Sequence, residues 1–587
     1  MIFRRFFFAL LACATMAAMV AAAARALEPV SPAGPPLSVA VIVFLVLFAL
    51  TLPWTVVGFW NATIGFLVMV LTRDPAIAVF PGAGNARSSD PIVARTAILA
   101  CVRNEMPERV ARNLELILQG LESAGVGDRF HVYVLSDTND AVIAVAEQAR
   151  FGELAAAWRD RIALTYRRRA SNEGFKAGNI EDFCTRFGAL HDFALPLDAD
   201  SFMAAAAILR RVRIMQANPQ VGILQGLVIA MPSTSAFTRI FHFGMRLGMR
   251  SYTIGSAWWQ GDCGPYWGHN ALLRLEPFAR DCKLPLLRGR NGPAHIMSHD
   301  QIEAVLMRRA GYEVRVLPDE DQSWEGNPPT LIEFVRRDLR WCEGNMQYLQ
   351  LLGLPGIFAT SRAQLMLAIV MFAGAPAWVG MLAWGVGMAA LATDPALLID
   401  AAWARGVFWT VAVMLYLPKI ATAVEVLLRA RSRRAFGGGL RFLAGFAIET
   451  AFSVLLCPIM WCSQSLFLLR LAMGRTAGWA GQARDDHVVS WKQATAHFWP
   501  HTLFGGVLLG ILLVKAPAAV PYAFFFLGGP LLSIPLAVLT SWQSVARALR
   551  IAGIVSLPEE ISPPADLRAL GLAALAPLSS RARRRGA

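Results

Sequence analysis

Apolar positions form long unbroken runs towards both ends of the chain and short, spaced runs in its middle. Residues 6–24 and 37–71 carry no charged side chain, and each is long enough to cross a hydrocarbon layer of about 30 Å. Further runs lie at 364–393, 404–428, 443–473, 502–516 and 521–541. From residue 94 the pattern changes. ARTAILACV, FHVYVLSD, RIALTYRR and DFALPLDAD read as strands, and they alternate with helix-period stretches at PERVARNLELILQGLESAG, through 140–150 and from Lys176. Such alternation predicts a mainly parallel, Rossmann-like α/β sheet with helices on both faces. Sheets of this kind bind ligands at the carboxyl ends of their strands.

Composition agrees with the runs. Apolar types make up 56% and charged types 16% of the 587 residues, too little polar surface for a soluble protein of this size, where about 25% charged is usual. The 55 Lys+Arg against 41 Asp+Glu set the orientation of the spans. TDPALLIDAA, after the first C-terminal run, is acidic and belongs outside; 429–441 and RARRR at 581–585 are basic and belong inside, with the central domain in the cytoplasm. The run 443–473 has basic residues on both flanks, which predicts a hairpin broken at Pro458 or an interfacial helix. Residues 6–24, between Arg4-Arg5 and Arg25, fit a cleavable signal peptide and a retained first span equally. Residues 37–71 fit one long tilted span or a span plus an interfacial turn. Eight cysteines without a CxxC pair predict free thiols. No HExxH, Walker A or GxGxxG motif is present, which removes zinc proteases, P-loop transporters and Rossmann dehydrogenases.

Candidate chemistry sits at the strand ends: Arg103-Asn104-Glu105, Ser136-Asp137 and Asp198-Ala199-Asp200. Two carboxylates one residue apart after an apolar strand can face a hard divalent cation that bridges to phosphates. A solvated loop offers the same pattern. SNEGFKAGN places Lys176, Gly178 and Asn179 before a helix, as a diphosphate site or as a cap and turn. YWGHNALLR puts Gly268, His269 and Asn270 before an apolar strand or helix. Asp300 precedes QIEAVLMRRAG, as an N-cap or as a general base for a sugar hydroxyl. Arg337 and Arg340 share a helical face beside Trp341, either to clamp phosphate and stack a sugar or to lie at the headgroups.

The ordered set Asp137, Asp198-x-Asp200, Asp300 and Arg337-x-x-Arg340-Trp341 resembles the processive inverting glycosyltransferases of family 2, to which cellulose, chitin and hyaluronan synthases belong. YWGHNALLR, SHDQIEAVLMRRAGYEV, RRDLRWCEGN, GQARDDHVVSW and SLPEE resemble most closely the branch that makes osmoregulated periplasmic glucans in proteobacteria, over roughly residues 95–560.

The resemblance implies a GT-A domain inserted between transmembrane helices. Residues 1–72 form the N-terminal signal or anchor and spans, 73–358 the cytoplasmic glucosyltransferase domain, 359–546 the C-terminal spans with a gating segment around 475–498, and 547–587 a basic cytoplasmic tail. It implies polymerisation of glucose from UDP-glucose with Mg²⁺ or Mn²⁺, at the bacterial inner membrane and coupled to export. Glu105, Asp137, Lys176, Asp198, Gln482 and Arg484 would bind the donor, and Asp200 with Asp198 the metal. Asp300 would be the base, Arg340 and Arg337 would stabilise the leaving UDP, and Trp341, His269 and Asn270 would meet the acceptor. Partners would be the growing glucan, membrane lipid and a periplasmic glucan-processing protein, with no nucleic acid. Trp378, Trp384 and Trp461 are placed either to line a glucan path or to sit in an interfacial belt. The competing functions are another family 2 polysaccharide synthase and a transporter with a nucleotide-sensing domain, whose spans hold Glu425 and Glu449.

Overall fold

A computed structural model describes residues 1–27, 39–289, 292–478 and 485–571. Seven strands form the central sheet: β1 (Thr96–Val102), β2 (Phe130–Ser136), β3 (Ala163–Arg168), β4 (Phe193–Asp198), β5 (Val221–Gly226), β6 (Ala271–Arg274) and β7 (Glu313–Leu317). Their order is β7-β5-β6-β4-β1-β2-β3. All neighbours run parallel except β6, which is antiparallel to both β4 and β5. The alternation in β1 sends Ile98, Ala100 and Val102 into one core and Ala97 and Leu99 into another, so both sheet faces are covered. The apolar end of YWGHNALLR is thereby a strand, and its turn falls beside the end of β4.

Six described helices are long and apolar enough to cross a membrane: Ile2–Ala26, Val39–Leu71, Ala359–Leu391, Ala401–Leu428, Gly439–Ala472 and Trp491–Lys515. A seventh candidate is the pair Pro517–Leu531 and Ser533–Leu539, bent by 58°. The chain is a multi-pass membrane protein. Residues 37–71 contribute one 33-residue helix, which at 1.5 Å per residue is about 50 Å long and outreaches the hydrocarbon layer.

Its far half crosses the helix Ala236–Gln260 at very short range. A Cβ on Gly65 would overlap the Ser251 carbonyl, and one on Gly255 the Asn61 carbonyl, so glycine at both positions permits the crossing. The same helix docks on the spans through charges. Arg250 pairs with Glu425 at 3.1 Å, Arg429 reaches Glu425 at 2.9 Å, and Lys419 with Ser453 holds Glu449 beneath Gly244. The two acids that suited a transporter are both committed to bases.

Gly439–Ala472 is one unbroken helix through Pro458, so the hairpin expected there is absent. A proline inside a helix removes one hydrogen bond and need not end it. The helix and the chain just beyond it touch the sheet-bearing part of the molecule at three levels: Glu449 lies against Gly244, Gln464 donates to Asp338 at 2.8 Å, and Ala477 N donates to Glu343 at 2.7 Å.

The first helix is tied to the same domain. Arg5 pairs with Asp262, donates to the Gln260 carbonyl at 2.7 Å, and shares Asp262 with Arg308 at 2.6 Å. Both arginines hold the Asp262 carboxyl below its ordinary value in spite of burial, which acts to raise it.

The segment expected to be a tail is packed over its described part. Glu560 makes a wholly buried pair with Arg239, Glu559 meets Arg246 at 3.1 Å, and Leu567 and Leu570 enter the core on one face of the sheet. RARRR at 581–585 lies outside the described residues.

Candidate active site

Four strand ends and one amphipathic helix build the site. Asp137 follows β2 and is buried, gripped by Arg169, whose Nε and Nη2 donate to its two carboxylate oxygens at 2.7 and 2.8 Å. Arg169 also donates to the carbonyls of Glu173 and Phe175, which shapes the turn before Lys176. Behind this turn lies Glu147. It is buried, and accepts from Ser136 Oγ at 2.6 Å, Thr138 Oγ1 at 2.5 Å and Tyr166 at 3.1 Å. The loop after β1, carrying Glu105, is laced to the loop after β2: Asn104, at φ +57°, donates to Asn139 at 2.7 Å and accepts from the amides of Asn139 and Asp140.

Lys176 joins the two halves of the site. Its ammonium binds Asp198 at the end of β4 and donates to the Gly268 carbonyl at 2.9 Å. Burial acts to lower the Lys176 pKa, but the acidic groups around it, Asp198 foremost and Asp300 with it, together outweigh burial and hold the group above its ordinary value. Gly268, at φ +81°, abuts Asp300: a Cβ there would sit 3.4 Å from the Asp300 Cβ and 3.8 Å from its Oδ2. One lysine and one glycine thus bring the strand-end carboxylates and Asp300 into a single pocket.

Asp300 opens the helix Asp300–Arg309 as its first residue, with His299 as the N-cap, so the N-cap account of Asp300 does not hold. His299 Nδ1 lies 2.8 Å from Glu303, and both are buried. Burial acts to lower the His299 pKa and raises that of Glu303; Glu303 nonetheless holds His299 above its ordinary value.

The helix Leu331–Met346 carries Arg337, Arg340 and Trp341 and docks on the turn ahead of Asp300. Gly344 permits it, because a Cβ there would strike Ser298; Tyr348 donates to the Ser298 carbonyl at 2.7 Å and Met297 N to Gln347 at 2.8 Å. Arg337 donates to Asn327 at 2.6 Å and lies 4.8 Å from the centre of the Trp341 ring, which is half exposed.

Asn270 is fully buried at φ +52°, with its amide donated to Ser323 Oγ at 2.8 Å and the Trp324 carbonyl at 3.4 Å. It shapes the loop under His269 and is out of reach of a sugar. Gln482 and Arg484 lie outside the described residues; next to them Asp485 pairs with Arg109 at 2.6 Å.

Asp198 and Asp200 offer oxygen ligands, the donor set of a hard divalent cation. Among the described residues no three His, Cys, Asp or Glu side chains close a cage, so further positions on such a cation would fall to water and substrate oxygens. The sequence reading missed Arg169, Glu147, the His299–Glu303 pair and Glu325. Only the lone acids inside apolar helical or strand stretches, Glu147 in AVIAVAEQARF and Glu303 in QIEAVLM, carried a visible signal.

A family model described as glycosyl transferase family group 2 matches residues 195–473. The chain is 34% identical over 532 residues to glucans biosynthesis glucosyltransferase H of Xanthomonas campestris pv. campestris (strain B100), covering 88% of this chain and 82% of that one. It is 34% identical over 547 residues to the protein of the same name in Rhodopseudomonas palustris (strain TIE-1), covering 89% and 73%. Among solved structures it is similar to a mannosyltransferase, PcManGT from Pyrobaculum calidifontis in complex with GDP-Man and Mn²⁺, with TM-score 0.43, 18% identity, and 66% and 98% of the two chains covered.

Proposed function

The chain belongs to the family of the glucans biosynthesis glucosyltransferases H, and on that footing we propose that it is an inverting, processive membrane glucosyltransferase. It polymerises glucose from UDP-glucose into the β-glucan backbone of osmoregulated periplasmic glucans, with its catalytic domain on the cytoplasmic face of the bacterial inner membrane and synthesis coupled to export. One observation carries the reading: Lys176 holds Asp198 and the Gly268 carbonyl together, so that strand-end carboxylates suited to a nucleotide diphosphate adjoin an aspartate suited to act as base.

In this mechanism Asp137, fixed by Arg169, and Glu105 contact the uridine, and Lys176 turns from Asp198 towards the diphosphate. Asp200 and Asp198 hold Mg²⁺ or Mn²⁺, which when bound offsets diphosphate charge. Asp300 accepts the proton of the acceptor hydroxyl as that oxygen attacks the anomeric carbon from the face opposite UDP, turning an α-linked donor into a β-glucoside. Arg337 and Arg340 stabilise charge on the departing UDP, and Trp341 stacks on the acceptor ring.

Purified full-length protein given radiolabelled UDP-glucose and Mg²⁺ should release UDP and build a β-linked glucan, identified by linkage analysis. Asp300→Asn should abolish transfer and keep UDP binding. Full activity in that variant overturns the base assignment, and polymer made only from another nucleotide sugar overturns the donor.

A further inference from the structure

Glu325 ends the short strand Ser323–Glu325, which pairs antiparallel with Ser201–Met203 so that Glu325 lies opposite Ser201, one residue beyond Asp200. Gly326 N donates to the Asp200 carbonyl at 3.1 Å, which fixes Glu325 beside the carboxylate pair. Its Oε2 lies 3.3 Å from His269 Nε2. His269 Nδ1 in turn lies 3.3 Å from Ser201 Oγ and 3.2 Å from Asn270 Oδ1. The Asn270 nitrogen is taken by Ser323 and Trp324, so its oxygen is the atom facing the imidazole, and Nδ1 carries a proton. The side chains of His269 and Glu325 are 14% and 23% exposed, pinned yet still accessible.

The charges acting on Glu325 decide what it can bind. Glu325 stands beside the strand-end carboxylates, next to His269. A third carboxylate there repels a diphosphate; with its proton on Nδ1 the imidazole presents Nε2 as an acceptor beside the Glu325 carboxylate, and vicinal hydroxyls of a neutral ring can donate to both. We propose that Glu325 and His269 form one hydroxyl-binding pair that positions a neutral sugar ring at the reaction centre, with Glu325 the specificity-determining member. This rests on the chain being a nucleotide-sugar transferase.

The ring is either that of the donor or that of the acceptor, and one experiment separates them. Glu325→Gln and Glu325→Ala are made in the full-length protein. Affinity for UDP and for UDP-glucose is measured by titration calorimetry with Mg²⁺, and radiolabelled glucose is followed into free sugar and into glucan. UDP affinity should stay within about twofold of the wild type, and glucan formation should fall by about tenfold or more. A matching loss of UDP-glucose affinity assigns the pair to the donor ring. A loss of glucan with hydrolysis to free glucose intact assigns it to the acceptor ring. The proposal is overturned by a parallel fall in UDP affinity, by a changed Mg²⁺ requirement for UDP binding (either places Glu325 on the phosphate or the cation), or by unchanged glucan synthesis. Wild-type protein that splits no nucleotide sugar overturns the transferase reading itself, whatever the variants do.

Discussion

Gln464 donates to the Asp338 carboxylate at 2.8 Å and so fastens the helix of Arg337, Arg340 and Trp341 to the long helix Gly439–Ala472. Burial pushes the Asp338 carboxyl up to about 6 from 3.8, with the Gln464 bond and Arg337 opposing. A carboxyl whose pKa is higher folded than unfolded gives stability that is complete below about pH 4 and is lost as pH rises through about 6. Asp338→Asn has no such titration. Its melting temperature relative to the wild type should rise between about pH 5 and about pH 8, by the equivalent of about 1.4 kcal/mol. A difference flat in pH rejects the assignment.

Arg169 meets Asp137 through two hydrogen bonds in a buried setting. Arg169→Ala leaves that carboxylate unpaired and frees the turn before Lys176. UDP affinity should fall by about tenfold or more, a loss of about 1.4 kcal/mol or more. Unchanged affinity in a calorimetric titration removes Asp137 from the uridine pocket.

Asp300→Asn keeps the shape of the site and removes its proton acceptor. Glucan synthesis should drop by about a hundred- to ten-thousand-fold, while UDP binding stays near wild type.

Gly344 lies where any Cβ would strike Ser298. Gly344→Ala should push the arginine helix off the turn that precedes Asp300. We expect a lower melting temperature and transfer impaired more strongly than UDP binding. A variant with both intact shows that the docking is looser than this packing implies.

The Arg239–Glu560 pair is wholly buried. Removing one partner strands the other charge, so Glu560→Ala should destabilise the protein by about 3–5 kcal/mol. Chemical denaturation in detergent is the check, and a loss of less than about 1 kcal/mol contradicts the burial.

The sheet was legible because its strands are short apolar runs with polar residues at their carboxyl ends, and Asp137, Asp198 and Asp200 fell there for that reason. Lys176 and Asp300 were legible as residues, but not the way Gly268 brings them together, since 92 positions separate Lys176 from Gly268. Arg169 was hidden in a run of three arginines, of which Arg167 grips Asp182 and Asn179 instead. Asn270 misled because a polar residue at a strand end can turn inward to hold backbone. Ala236–Gln260 has an apolar face of Phe237, Ile240, Phe243 and Leu247, but the glycines and paired arginines by which it also meets the spans give no periodic signal. Pro458 suggested a break where neighbouring helices support a continuous one.

Leu567 and Leu570 lie in the same core as residues of β1, β2 and β4, although the whole series of C-terminal spans separates them in the chain. The ribosome delivers those leucines after all of the candidate spans. During synthesis this part of the core therefore stays open until the helices that precede Leu567 have been made.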